Sequence, residues 1–133
     1  MSEVQIGLSG EVSLTVTEAD TAAKWGSGLV PVFGTPSLVG LMEAAAVKAL
    51  TGHLEENQTT VGGRIDVRHL AATPVGMQVR ARAELTSIEG RKLVFHIEAW
   101  DEAEKIGEAL HERSVIKIEK FIARAQSKAL QGK

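Results

Sequence analysis

One apolar segment with clear ends constrains the fold of this chain most. Before it, Gly34-Thr35-Pro36 combines a threonine that can accept a capping hydrogen bond with a proline suited to the first helical position. Apolar residues then recur at helical spacing from Leu38 to Leu50, and Gly52 follows as a natural stop. The segment is apolar around most of its circumference, which predicts a helix wrapped by a sheet.

Strand-like alternation flanks this helix on both sides. Even-numbered apolar residues from Val4 to Val16 predict one strand before it, with a bend or bulge at Gly7 and Gly10. Four more strands are predicted after it at about 60–70, 77–87, 92–101 and 105–117, with turns short enough for antiparallel hairpins. One long central helix wrapped by a curved antiparallel sheet is an α+β fold, the hot-dog arrangement. Its open sheet edges predict a homodimer and leave a dimer of dimers open.

Composition excludes several classes of protein. The chain has 133 residues, 44% of them hydrophobic, with 15 Lys+Arg against 17 Asp+Glu and no cysteine. This predicts one domain over residues 1–133, of which about 119–133 form a C-terminal tail or short amphipathic helix. The lack of cysteine excludes a disulfide framework, a Cys-ligated zinc site and a cysteine nucleophile. The near-neutral charge argues against nucleic-acid binding, and the four histidines lack metal-ligand spacing, so we expect no metal.

The location expected from the sequence is cytoplasmic. The first residues lack the features of a signal peptide. The most apolar stretch, residues 38–50, is far shorter than the ~20 apolar residues of a membrane span. We therefore expect no membrane partner.

Two polar residues interrupt apolar faces. Glu43 lies on a largely apolar stripe of the helix, either buried or at its edge and in contact with solvent. His69 extends the odd-numbered face of residues 61–67, where a histidine is more often a hydrogen-bonded core residue than a catalyst. Together, a carboxylate on the central helix and an imidazole on the next strand could form a pair that activates a water or a nucleophile.

Three further features each allow a structural and a functional interpretation. Gly62-Gly63 could be a bulge that curves the sheet, or could present a backbone N–H to a developing oxyanion. Thr35 could be a helix cap or a catalyst. About 12 Å of helix rise separates Thr35 from Glu43, so the two side chains of one chain would bracket a substrate without touching. A contact between them could instead come from a partner protomer. Arg113 could be a solvated strand cation, or could hold a carboxylate or the active-site loop in place.

Taken together, these residues resemble a known family. The runs GTPSLVGLME (residues 34–43), Gly62-Gly63 and VRHLAATPVG (residues 67–76) are similar to those of hot-dog thioesterases of the fluoroacetyl-CoA thioesterase type. The resemblance covers nearly the whole chain. Its most specific part is a Thr/Glu/His set with spacings of 8 and 26 residues.

The resemblance implies an activity and a site. Thr35, Glu43 and His69 would be the catalytic set, the Gly62 backbone N–H would contact the thioester carbonyl oxygen, and Arg113 would be a supporting arginine. Glu43 would act as base or as nucleophile, and His69 would shuttle the proton. The substrate would be a small acyl-CoA thioester, so that coenzyme A is part of the substrate and no separate cofactor is expected.

The segment before the helix departs from the family pattern. Members specialised for fluoroacetyl-CoA are similar in carrying a phenylalanine that gates the site in this segment, whereas the matching position here is Leu29. Phe33, nearby in the sequence, is a further candidate for substrate contact. This argues against the fluorinated substrate and not against the reaction. Two other functions stay open: an acyl-CoA hydratase or dehydratase, and a non-catalytic acyl-CoA binding module.

Overall fold

One long helix lies against a five-stranded antiparallel sheet in the computed structural model, which describes residues 3–131. The helix is α2 (Thr35–Leu50); a single turn, α1 (Ala22–Trp25), precedes it, and α3 (Ile118–Gln131) follows the last strand. The strands are β1 (Ser9–Thr15), β2 (Gln58–His69), β3 (Gln78–Glu89), β4 (Lys92–Asp101) and β5 (Lys105–Lys117). The predicted α+β class and hot-dog arrangement are confirmed.

The central helix begins and ends close to the predicted positions. Pro36 lies in its first turn, but the N-cap is Gly34, so Thr35 is already helical and the predicted capping role of its side chain is wrong. After Leu50, Gly52 has φ +82°, the left-handed conformation that favours glycine. The face of α2 that packs on the sheet is buried and rich in alanine, and consists of Leu38, Leu41, Met42, Ala45, Ala46, Ala49 and Leu50.

The first strand is shorter than predicted. β1 starts at Ser9, because residues 6–7 form a turn in which Gly7 has φ +101° and Ile6 is 65% exposed. Gly10 is not a bulge. It lies where β1 crosses the alanine-rich face of α2, and a Cβ there would collide with the helix backbone at Ala45 and Ala49. Glycine therefore permits the close contact between strand and helix.

The strands after α2 have nearly the predicted bounds but a different order. The sheet order is β1-β3-β4-β5-β2, so β3, β4 and β5 form a meander while β2 pairs with β5. The predicted hairpin between β2 and β3 is therefore wrong. Residues 70–77 instead cross the sheet and bind the segment before α2, where the Phe33 N–H donates to the Thr73 carbonyl at 2.8 Å. This crossing leaves β2 at an edge of the sheet.

The predicted short C-terminal helix corresponds to α3. It has no buried residues, and its apolar side chains, Phe121 and Ile122 among them, are partly exposed. The last two residues of the predicted tail lie outside the described residues. Across residues 3–131, no helix combines the length and the hydropathy needed to cross a membrane.

Candidate active site

A bulge in β2 decides which side chains face the central helix. The register of β2 on β5 shifts between Gly62 and Arg64, so Gly63 is an extra residue. Before the bulge Thr60 and Gly62 face α2, and after it odd-numbered residues up to His69 do so. The predicted odd-numbered face is therefore wrong before the bulge: Thr60 is buried there, whereas Val61 is only partly buried.

The first group of polar residues is a carboxylate cluster, formed by Glu43, Thr60, Gly62, His111 and Arg113. The Arg113 guanidinium is 6% exposed and donates from Nε to the Thr60 hydroxyl at 2.8 Å and from Nη2 to the Thr60 carbonyl at 3.0 Å. Its Nη1 lies 3.4 Å from Glu43 Oε2. Burial lowers the pKa of Arg113, and the Glu43 charge opposes this. Arg113 is thus no solvated cation; it holds the Glu43 carboxylate.

Gly62 makes room for that carboxylate. A Cβ at this position would lie 2.8 Å from Glu43 Oε2, 3.2 Å from His111 Cε1 and 3.4 Å from Arg113 Nη1. The carboxylate therefore lies directly against the backbone of β2, although the Glu43 side chain is 41% exposed. Of the two positions expected for Glu43, the structure has the edge of the apolar stripe.

His111 is a site residue that was not predicted from the sequence. The His111 residue is 1% exposed. Its Nδ1 lies 2.8 Å from the Arg64 carbonyl oxygen, which can only accept, so Nδ1 carries the ring proton. Its Nε2 accepts a hydrogen bond from Arg113 Nη1 at 3.1 Å. Burial lowers the pKa of His111, and the Arg113 charge lowers it further. A neutral His111 therefore fixes Arg113 from the side opposite Thr60. The available signal was the spacing of His111 and Arg113 by two residues in one strand, which puts both on one face.

The second group of polar residues is a threonine–histidine pair, formed by Thr35 and His69. Because Gly34 caps the helix, the Thr35 hydroxyl is free to contact His69 Nδ1, at 2.8 Å. Burial lowers the pKa of His69, partly opposed by the backbone of Ala71. His69 Nε2 is buried and has no hydrogen-bond partner within residues 3–131. Such a neutral imidazole can accept a proton from a bound molecule.

The threonine–histidine pair lines a pocket of about 410 Å³, together with Ala22 of α1, residues of the segment between α1 and α2, and residues 70–72. Two predicted substrate contacts lie nearby in sequence. Leu29 is 97% exposed, and the side chain of Phe33 is completely buried, although Phe33 contributes to the pocket wall. Phe33 thus also belongs to the hydrophobic core.

The structure does not bring the two groups together within one chain. Eight residues along α2 separate Thr35 from Glu43, about 12 Å of rise. Along β2, the seven residues from Gly62 to His69 span about 20 Å. The predicted pair of a carboxylate and an imidazole is therefore not formed within a single subunit.

Comparisons with known proteins give the family. A family model described as fluoroacetyl-CoA-specific thioesterase matches residues 16–119. A fluoroacetyl-CoA thioesterase of Streptantibioticus cattleyicolor is 46% identical over 101 residues, which are 76% of this chain and 73% of that protein.

Solved structures agree with this match. A mutant of the fluoroacetyl-CoA-specific thioesterase FlK, crystallised in complex with fluoroacetate and CoA, is 37% identical with a TM-score of 0.84, over 89% of this chain and 99% of that chain. A thioesterase superfamily member from Thermus thermophilus is 28% identical with a TM-score of 0.89, over 100% of both chains. The resemblance predicted from the sequence is confirmed, and the chain belongs to the fluoroacetyl-CoA-specific thioesterase family.

Proposed function

We propose that this protein hydrolyses a small acyl-CoA thioester to the free acid and CoA. The observation that carries the proposal is the Glu43 carboxylate, held by a buried arginine at the edge of the sheet and still open to solvent on its other side. The family and the fluoroacetyl-CoA substrate of its relatives support the reaction and the substrate class. CoA is part of the substrate, and the proposal includes no further cofactor; a cytoplasmic location stays a prediction.

The two groups of residues would divide the chemistry. Glu43 Oε2 faces Arg113, whereas Oε1 has no hydrogen-bond partner in the part of the chain that the structure describes. Oε1 is therefore the atom that takes a proton from water, or that attacks the acyl carbon itself. In the water route, the water oxygen forms a C–O bond with the acyl carbon while the C–S bond breaks, and the proton that Glu43 takes from the water passes through His69 to the leaving thiolate. In the nucleophile route, a C–O bond to Glu43 gives an acyl-enzyme anhydride as the thiolate leaves; water then hydrolyses the anhydride to the free acid, and one of its protons passes through His69 to the thiolate. The hydroxyl of Thr35 positions the acyl group or the water.

The working unit we propose is a homodimer whose active sites combine residues of both subunits. β2 has 12 residues and, within residues 3–131, no strand on its outer side. If two copies of β2 pair antiparallel about a two-fold axis at Asp66, with Gly63 remaining the extra residue of the bulge, Gly62 lies opposite the partner's His69. Opposite residues in such a pair project on the same face. Glu43 would then meet the partner's His69 and the partner's Thr35.

Thiol release from a panel of acyl-CoA thioesters, including acetyl-CoA and fluoroacetyl-CoA, tests the reaction. We expect Glu43→Gln and His69→Ala each to lower kcat/KM by about 100-fold or more. The exposed residues Glu104 and His96 provide matched controls, Glu104→Gln and His96→Ala, which should keep wild-type rates. Folded protein that releases no thiol contradicts the proposal: consumption of an enoyl-CoA with the thioester intact indicates a hydratase, and binding without turnover indicates a binding module.

Mixed dimers test the division of the site. Glu43→Gln and His69→Ala chains, unfolded together and refolded, would form heterodimers in which one of the two sites has both wild-type residues. With random pairing, about a quarter of the wild-type activity should return, although each variant alone is inactive. Mixtures that stay inactive while heterodimers are demonstrated by mass spectrometry would contradict a shared site.

A further inference from the structure

A basic pocket lies beside the carboxylate cluster. It has a volume of about 420 Å³, and Arg91, Lys117 and Lys120 line it together with Gln58 and Phe121. No Asp or Glu is among its lining residues, although the chain as a whole has 17 acidic against 15 basic residues. The local charge is thus opposite to the net charge, which is typical of a site for an anion.

The three cations of this pocket are free to bind a ligand. Within residues 3–131, none of them has a carboxylate oxygen within 4.0 Å. Most cations elsewhere on the described strands are paired: Arg80 contacts a carboxylate at 3.4 Å and Lys105 contacts another at 2.7 Å, and Arg68 is the exception. The pocket is therefore a place where three unpaired cations lie together.

The pocket continues the face of the sheet that carries the carboxylate cluster. Gln58, Thr60 and Gly62 alternate onto one face of β2, and the register shift comes only after Gly62. On β5, Lys117 lies four residues beyond Arg113 and so follows the same alternation. Four residues of strand span about 13 Å. A ligand with one end at the carboxylate cluster and the other in the pocket must therefore bridge about that distance.

We propose that this pocket binds the 3′-phospho-ADP end of coenzyme A, an inference that rests on the acyl-CoA substrate proposed above. About thirteen bonds join the sulfur of CoA to its first phosphorus, and an extended chain of that length reaches about 15 Å, since three backbone bonds span 3.3–3.6 Å in a peptide. This reach matches the distance along the strands. The pantetheine arm would run along β2 and β5, past Thr60 and Val115.

The lining residues fit each part of that ligand. Arg91 can bind a phosphate through two N–H groups, and Lys117 and Lys120 supply compact charges for the pyrophosphate and the 3′-phosphate. Phe121 is 44% exposed and offers an aromatic face on which adenine can stack. α3 contributes Lys120 and Phe121, which gives this otherwise exposed helix a role in substrate binding.

Substrate selectivity tests the proposal. We compare kcat/KM for an acyl-CoA and for the matching S-acyl-pantetheine, which lacks the nucleotide. In Lys117→Ala/Lys120→Ala the preference for the CoA thioester should fall about 10-fold or more, since each hydrogen bond to a charged group contributes appreciably. The control is Arg124→Ala/Lys128→Ala, which removes two exposed charges of α3 that do not line the pocket and should keep the wild-type preference. An unchanged preference in the pocket variant, or an equal loss in both variants, would overturn the proposal.

A binding measurement separates this proposal from the proposed reaction. Adenosine 3′,5′-bisphosphate, titrated calorimetrically, should bind the wild type and the control variant and bind the pocket variant about 10-fold more weakly or worse, with an affinity that falls as salt rises. Binding without thioester hydrolysis would retain the pocket and refute the reaction. Hydrolysis in a protein that does not bind this probe, with selectivity unaffected, would refute the pocket alone.

Discussion

Replacing Gly62 by alanine should impair catalysis without unfolding the protein. The new Cβ would lie 2.8 Å from Glu43 Oε2, too close for any real contact, and 3.2 Å from the buried ring of His111. His111 cannot retreat, so the carboxylate has to move by about half an ångström or rotate away. Because a misplacement of ~1 Å at a reacting group costs about 100-fold, we expect kcat/KM to fall by about 10- to 100-fold, or about 1.4–2.8 kcal/mol.

The stability of Gly62→Ala should stay close to that of the wild type. Gly62 does not have a positive φ, so alanine can adopt its backbone conformation. The group that must move is the half-exposed end of a flexible side chain. The neighbouring variant Gly63→Ala is the control, since its Cβ would meet nothing nearer than the Glu112 carbonyl at 3.9 Å. Thiol-release kinetics measure the activity of the two variants, and thermal melts measure their stability. Equal activity in the two variants would refute a functional contact between Glu43 and the β2 backbone.

Three further outcomes follow from the packing and the buried charges. Gly10→Ala should lower the free energy of unfolding in urea by roughly 1–3 kcal/mol, whereas Gly40→Ala on the exposed face of α2 should raise it by up to about 1 kcal/mol; equal effects would contradict the close strand–helix contact. The free energy of unfolding should fall as the pH drops below 6.5. In the unfolded chain His69 and His111 then take up protons, whereas burial keeps both pKa values lower in the folded state. A free energy of unfolding that does not change with pH over this range would contradict the prediction. Arg113→Lys should cost roughly 1–3 kcal/mol in the same urea assay, since lysine cannot replace the forked donors; an unchanged midpoint would contradict that role.

The elements of this fold could be predicted because their patterns report burial directly. The alternation from Val79 to Leu85 corresponds to buried residues, and the apolar run of α2 is the face that packs on the sheet. The order of the strands could not be predicted in this way. A short turn between two strands favours a hairpin, but residues 70–77 bind the chain before α2 instead, and only tertiary contacts decide between these outcomes.

The site residues were identifiable one by one, whereas their grouping was not. Glu43 and His69 each interrupt an apolar face, and the glycine pair interrupts a strand, so the sequence marks each of them separately. Which of them meet depends on the position of the bulge and on β2 pairing with β5. His111 does not stand out in this way: its one signal is the two-residue spacing from Arg113, and any two neighbouring side chains on one face of a strand share that spacing.

The extra residue in β2 makes the length of this strand a functional constraint. Gly62 and His69 are seven positions apart, so in a regular strand they would lie on opposite sides of the sheet; the bulge at Gly63 puts both on the side of α2. Deleting Gly63 would join Gly62 to Arg64, whose partner Glu112 adjoins Arg113, so the ladder would become regular and His69 would keep its side. Inserting one residue between Arg64 and His69, with the bulge kept, would instead turn His69 to the outer side with no other amino acid changed, so descendants of this chain should lose a residue from this stretch more readily than gain one.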